Sequence, residues 1–180
     1  MKLKTIITIS GRISSGKSYV ANLIKNEFQF PIASFGKYLI YYCEQNNLPT
    51  DRETLQNTGD AFVKENPHQF LTDVISHFIG TADSIILEGL RHKSIFNEVN
   101  KLTEKQISIF IDSDLQTRYD RYFARTKDSD EVKTYEQFMI SNNHPVELEI
   151  ESLKPLANIV VDSTKDYSLE LFTFLSQNLA

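Results

Sequence analysis

Apolar and polar positions along the chain alternate between two periods. Leu3–Ser10 is short, rich in β-branched residues and stopped by Gly11, the pattern of a buried strand. Lys17–Glu27 then takes helical spacing, with Val20, Leu23, Ile24 and Phe28 on one side. Phe30–Ser34 reads as a second strand and Gly36–Gln45 as a helix. Thr50 and Glu53 form a capping-box pattern that predicts a helix from about Asp51, with Leu55, Phe62 and Val63 toward the core. Pro67 suits the first turn of a further helix reaching Ile79. Asp83–Glu88, Gln106–Asp112 and Asn158–Asp162 read as strands, and Leu115–Arg125, Tyr135–Ser141 and Tyr167–Gln177 as helices. Five strands separated by helices predict an α/β fold: a five-stranded parallel sheet between two helical layers.

The first strand–helix junction carries the clearest chemistry. Gly11-Arg12-Ile13-Ser14-Ser15-Gly16-Lys17-Ser18 is a full G-x-x-x-x-G-K-S string, so the fold expected is that of a P-loop NTPase. Glycines let the backbone curl until its N–H groups face phosphate oxygens, and the following helix adds its positive end. Lys17 supplies a mobile cation for the β- and γ-phosphates, and the Ser18 hydroxyl suits Mg²⁺. Gly11, Ile13, Ser14, Ser15, Gly16, Lys17, Ser18 and the neighbouring Tyr19 are the expected ATP contacts. A GTPase would usually carry Asn/Thr-Lys-x-Asp. Thr126-Lys127-Asp128-Ser129 and Thr164-Lys165-Asp166-Tyr167 lack the final Asp, and no Leu-Ser-Gly-Gly-Gln string is present.

Composition narrows the classes. The chain has 180 residues, a size for one domain, and a net charge of −5, which disfavours a general nucleic-acid binder. Cys43 is the only cysteine, which excludes an internal disulfide and fits a reducing cytoplasm. The apolar run Ile6–Ile9 is far too short to span a membrane. His68, His77, His92 and His144 lack metal-ligand spacing. A monomer or homodimer acting on a small molecule is expected.

Four further segments carry a resemblance. Ala33-Ser34-Phe35-Gly36-Lys37-Tyr38-Leu39 looks like the Ile-Ser-Thr-Gly-Asp-Met-Leu segment of adenylate kinases. Ile85-Ile86-Leu87-Glu88-Gly89-Leu90-Arg91 resembles their strand ending in Asp-Gly-Phe-Pro-Arg. The run from Asp112 to Arg125 resembles the helix leading into their lid, with Arg121 and Arg125 matching its Arg-x-x-x-Arg. Ala157–Ser163 is similar to their last strand and the loop near the nucleobase. Over most of its length the chain thus resembles the nucleoside monophosphate kinases. The family's acceptor arginine falls on Ile40, Lys37 stands where Asp is frequent, and the lid cysteines are missing.

The resemblance implies ATP-dependent phosphoryl transfer to a (deoxy)nucleoside monophosphate. Lys17, Glu88, Arg91, Arg121 and Arg125 are the implied catalytic groups, Arg121 is also an implied ATP contact, and Ser18 and Glu88 are the Mg²⁺ site. Arg121 and Arg125 share a helical face, with Arg118 one turn earlier. Arg91 follows a strand's carboxyl end, where ligands gather in open α/β sheets. The acceptor region would span about 35–80, with Ser34, Gly36, Lys37, Arg52, Gln56 and Arg91 as candidate contacts. Arg52 is placed to replace the arginine missing at Ile40, and Gln56 to read a base edge. A lid would lie at about 121–140, with Thr126–Thr134 as its short loop. The string Gly11–Ser18 also resembles the P-loop of dephospho-CoA kinases, whose Asp-Ala-Asp segment is replaced near Ala33-Ser34-Phe35-Gly36. A non-catalytic ATP-binding switch is the rival from another class.

Overall fold

The computed structural model describes residues 2–124 and 134–179. The elements run β1 (Leu3–Ser10), α1 (Lys17–Phe28), β2 (Ile32–Ser34), α2 (Phe35–Gln45), α3 (Arg52–Glu65), α4 (Pro67–Phe78), β3 (Ser84–Glu88) and α5 (Lys93–Leu102). They continue with β4 (Thr103–Asp112), α6 (Leu115–Ala124), α7 (Tyr135–Asn142), α8 (Pro145–Glu149), a 3₁₀ turn (Ile150–Leu156), β5 (Ile159–Asp162) and α9 (Ser168–Leu179). The strands form one parallel sheet in the order β2-β3-β1-β4-β5.

Alternation along the strands divides the core in two. Ile6, Ile85, Leu87 and Phe110 pack against α2–α5 and the 3₁₀ turn. Ile7, Ile9, Ile86, Ile107, Ile109 and Ile111 pack against α1 and α9. Both faces are covered, which explains why β1 reads as a nearly continuous apolar run. On the first face Thr8 Oγ1 donates to Ser108 Oγ at 3.1 Å, so two buried hydroxyls satisfy each other.

The sheet register positions the site. Ser34 pairs with Glu88, Ile9 with Glu88, and Ser10 with Phe110, so the strand ends fall on one edge. From central β1 the chain passes to β2 on one side, while β4 lies on the other. That switch of direction opens a crevice above the carboxyl ends of β1 and β3.

Three features differ from the sequence reading. The α3 cap is Asp51, whose side chain accepts from Thr54 N at 3.0 Å; Thr50 is not the cap. Asp51 Oδ2 also accepts from Thr54 Oγ1, and a hydroxyl one position earlier could not duplicate that pair. Helix α5 was not anticipated, although Ile95, Val99 and Leu102 have helical spacing. Nor was the α8–3₁₀ segment, which Pro145 opens and which buries Val146, Glu147, Ile150 and Leu153. The expected core side chains of α3 do turn inward: Val63 is buried, and Leu55 and Phe62 pack against the same cluster.

Candidate functional site

The loop after β1 has the backbone its motif requires. Gly11 has φ +148°, and a Cβ there would lie 2.5 Å from the Ile111 carbonyl oxygen. Only a residue without a side chain lets β1 turn so close to β4. Ser14 (φ 60°) and Gly16 (φ 104°) are left-handed, which folds successive N–H groups into one concavity. The first N–H groups of α1 have no acceptor within their helix and open into the same space. The buried hydroxyls of Ser14 and Ser15 have no hydrogen-bond partner among the described residues.

Lys17 is buried, and its Nζ donates to the carbonyls of Gly11 and Arg12, both at 2.8 Å. Burial lowers its pKa to about 8, against the opposing pull of Glu147. The Ser18 hydroxyl donates to Glu88 Oε1 at 3.0 Å, joining the two groups expected at the Mg²⁺ site. A hydroxyl and a carboxylate are hard oxygen donors, and Mg²⁺ commonly takes few protein ligands, completing its shell with water and phosphate. The residues present therefore fit that ion.

The structure brings Arg52 and Arg91 together through a residue the sequence reading missed. Glu147 of α8 is fully buried. Its Oε1 accepts from Arg52 Nη2 at 2.8 Å and Arg91 Nη1 at 2.5 Å. Its Oε2 accepts from the P-loop amide of Ile13 at 2.9 Å. Burial pushes the Glu147 pKa up, but Arg91, Lys17, Arg52 and the Ile13 amide together hold it below the usual carboxylate value. Arg52 is lowered to about 10, mainly by burial and next by Arg91. Ile13, an expected ATP contact, gives its amide to Glu147 and borders the P-loop cleft.

Two connected cavities follow. A polar cleft of about 370 Å³ is lined by Ile13–Ser18 together with Ser34, Gly36, Lys37, Ile40, Arg52, Glu88 and Arg91. Arg52 thus shares a cavity with Ile40, the position where the resembling family carries its arginine. Past Gly36, Gly89 and the two arginines lies a narrow slot of about 70 Å³ walled by Phe35, Leu39, Leu55, Phe70 and Ile95. Gln56 lines this slot, is only 7% exposed, and its amide nitrogen has no hydrogen-bond partner among the described residues. The Ser34 hydroxyl caps α2 by accepting from Lys37 N, and is committed to the fold as well as facing the cleft. Tyr38, Tyr41 and Tyr42 stack with Phe62, Phe70 and His77 and do not line the slot.

Arg121 lies elsewhere. It donates to the carbonyls of Ser15 and Ser163 and to Ser163 Oγ, and lines a third cavity of about 410 Å³ with Gly16, Tyr19, Ala124, Ser163 and Tyr167. This cavity touches the other end of the P-loop and joins Tyr19 to the loop after β5. Arg118 is buried: its guanidinium donates to Ser113 O and Asn142 Oδ1 and sits over the Phe138 ring. The carbonyl of Asn142 also accepts from Arg12, so Arg118 acts as a strut between α6, α7 and the P-loop. Arg125 and the expected lid loop up to Lys133 lie outside the described residues.

Comparison with known proteins supports the architecture. No family model and no curated protein matches the sequence. Among solved structures, the chain resembles a gluconokinase from Sinorhizobium meliloti 1021 (13% identity, 99% of this chain and 97% of that chain, TM-score 0.62). It also resembles shikimate kinase from Aquifex aeolicus vf5 (19% identity, 97% and 98%, TM-score 0.57). A third likeness is TT1252 from Thermus thermophilus (20% identity, 98% and 98%, TM-score 0.62). With its five-stranded parallel sheet and covering helices, the chain has the fold of P-loop kinases.

Proposed function

We propose that this protein transfers the γ-phosphoryl group of ATP to a small anionic acceptor, a (deoxy)nucleoside monophosphate. One observation carries the reading: the P-loop cleft runs past a pair of arginines into an apolar slot that presents a buried amide donor with no partner among the described residues.

Each part matches one part of the substrates. The triphosphate suits the concave backbone, with Lys17 at its β/γ end. Lys17, Lys37, Arg52 and Arg91 outnumber Glu88 and Glu147, which favours an acceptor that brings its own negative charge. Arg52 and Arg91 suit a phosphate at the slot's mouth. A flat heteroaromatic ring fills apolar walls, and a ring acceptor atom satisfies the Gln56 amide. The cavity of Tyr19, Arg121 and Tyr167 suits the donor's own nucleoside. Gluconokinase and shikimate kinase, by their names, act on other acceptors, so the fold is compatible with more than one acceptor chemistry.

In the transfer, an oxygen of the acceptor phosphate attacks the γ-phosphorus in line as the bond to the β-bridging oxygen breaks. A phosphate nucleophile is already ionised near neutral pH and needs no strong general base. The protein's work is positioning and neutralisation of charge. Mg²⁺, when bound, would neutralise charge across the β- and γ-oxygens. Ser18 and Glu88 would hold it, while Lys17 and Arg91 steady the transferring group.

The test is ADP release from Mg-ATP with a panel of nucleoside and deoxynucleoside monophosphates, dephospho-CoA, shikimate and gluconate. Turnover with one or more monophosphates is the expected result. Turnover confined to dephospho-CoA or to the hydroxy acids would replace the acceptor assignment. Tight ATP binding with no acceptor-dependent ADP release would replace catalysis by a switch role.

A further inference from the structure

Glu147 is costly where it stands. A carboxylate removed from water loses several kcal/mol of solvation, and replacing a buried ion pair by apolar side chains is frequently neutral or stabilising. The surrounding α8–3₁₀ segment is secured without it. Pro145 and the His144 cap start the helix, and Val146, Ile150 and Leu153 are buried along it. What Glu147 adds is connection. One oxygen holds both arginines of the acceptor mouth, and the other holds the amide of P-loop residue Ile13.

We propose that Glu147 is a positioning residue that couples the two substrate sites by tying the Arg52–Arg91 pair to the backbone of the P-loop. The inference rests on the kinase reading above and adds to it a residue and a task. The carboxylate fixes one edge of each guanidinium. Arg52 remains partly exposed (41% of its side chain) and Arg91 less so (22%), leaving N–H groups to meet an anion arriving in the cleft. An anion that draws the arginines outward weakens their hold on Oε1. Negative charge then concentrates on Oε2, which strengthens its bond to the Ile13 amide. Acceptor occupancy is thereby transmitted to the loop that grips the triphosphate, and by reciprocity donor occupancy is transmitted to the arginines.

The test uses Glu147→Gln, which keeps volume but not charge, and Arg52→Gln, which removes one arm and leaves the buried carboxylate paired with Arg91. Each protein is saturated with the non-hydrolysable analogue Mg-AMPPNP and titrated with inorganic phosphate, while the Ile13 amide resonance is followed. In the wild type the resonance moves with phosphate; in both variants that response is lost. In equilibrium titrations of the wild type, saturating phosphate and saturating Mg-AMPPNP change each other's affinity by the same factor, and in both variants that factor falls to about one. A purely structural role would instead lower the unfolding temperature and weaken each ligand bound alone, with the mutual effect intact. An unchanged Ile13 response in a folded Glu147→Gln protein, or in Arg52→Gln if the first variant does not fold, overturns the inference and leaves the kinase reading intact. Failure of the wild type to bind Mg-AMPPNP would remove both.

Discussion

At the scale of single residues, the site is built from groups held in uncomfortable environments. Lys17 is the sharpest case, with burial lowering its pKa to about 8 from the ordinary lysine value of 10.5. Below about pH 8 it is charged in both folded and unfolded chains, and folding bears the full cost of burying that charge. Between about 8 and 10.5 the folded protein releases its proton first, so the unfolded state binds more protons and stability rises with pH. Nucleotide binding moves the opposite way, because neutral Lys17 no longer attracts the γ-phosphate. Affinity for Mg-AMPPNP, measured by calorimetry, is expected to weaken as pH rises through about 8, while the unfolding temperature does not fall with it. Lys17→Ala is expected to remove this pH dependence together with turnover.

Gln56 supports a prediction of opposite sign. Its buried amide nitrogen lacks a partner among the described residues, and such a group costs on the order of 1–3 kcal/mol. Gln56→Leu is therefore expected to leave the unfolding temperature unchanged or raise it, while the acceptor KM increases about tenfold. A variant that is both less stable and kinetically normal would place Gln56 in the fold and not in recognition. Polar residues on helices usually face water, so the sequence nominated Gln56 only as a base-edge reader among other α3 residues. Its burial became visible once α3 was seen packed over the slot.

At the scale of elements, the contiguous parts of the site were legible and the convergent parts were not. Gly11–Ser18 can be read directly because strand, turn and helix are consecutive and each residue type has a local reason. Glu147 stands 95 positions from Arg52 and 56 from Arg91, so no local pattern links them. The one available signal was indirect: Val146, Ile150 and Leu153 follow Pro145 at helical spacing, which makes a packed turn and places an acid beside its apolar face. Arg118 shows the converse. Its spacing with Arg121 suggested one cationic face, but Asn142 and Phe138 take it into the core. Arg12 donates to the Asn142 backbone carbonyl, which alanine keeps, whereas Arg118 donates to its side-chain oxygen, so Asn142→Ala leaves the buried Arg118 guanidinium short of an acceptor. A destabilisation of about 2 kcal/mol is expected in chemical denaturation. The Asp51 cap is a simpler element-level test. Asp51→Ala is expected to lower stability by the same measurement, whereas Thr50→Ala leaves it unaltered.

At the scale of the whole molecule, the sheet turns these separate features into one device. Because β1 lies between β3 and β4, the P-loop, Glu88 and Arg91 emerge on a common edge, with the cavity of Arg121 and the slot of Gln56 meeting at the P-loop cleft. Gly16 borders both the Arg121 cavity and the cleft, while Arg52 and Arg91 border both the cleft and the slot. A continuous path of this kind favours a ligand that fills all three regions. Two nucleosides joined by a chain of phosphates should therefore bind more tightly than ATP, since the second nucleoside engages at high effective concentration. A gain of roughly 10²-fold or more is expected when the chain spans the cleft, falling off when it is shortened by two phosphates. Gln56→Leu should erase most of that gain without altering affinity for ATP, because Gln56 lines the slot and not the P-loop cleft. Equal affinity for the double ligand and for ATP would mean that the slot and the P-loop are not engaged together, and the acceptor would then have to be sought outside the slot.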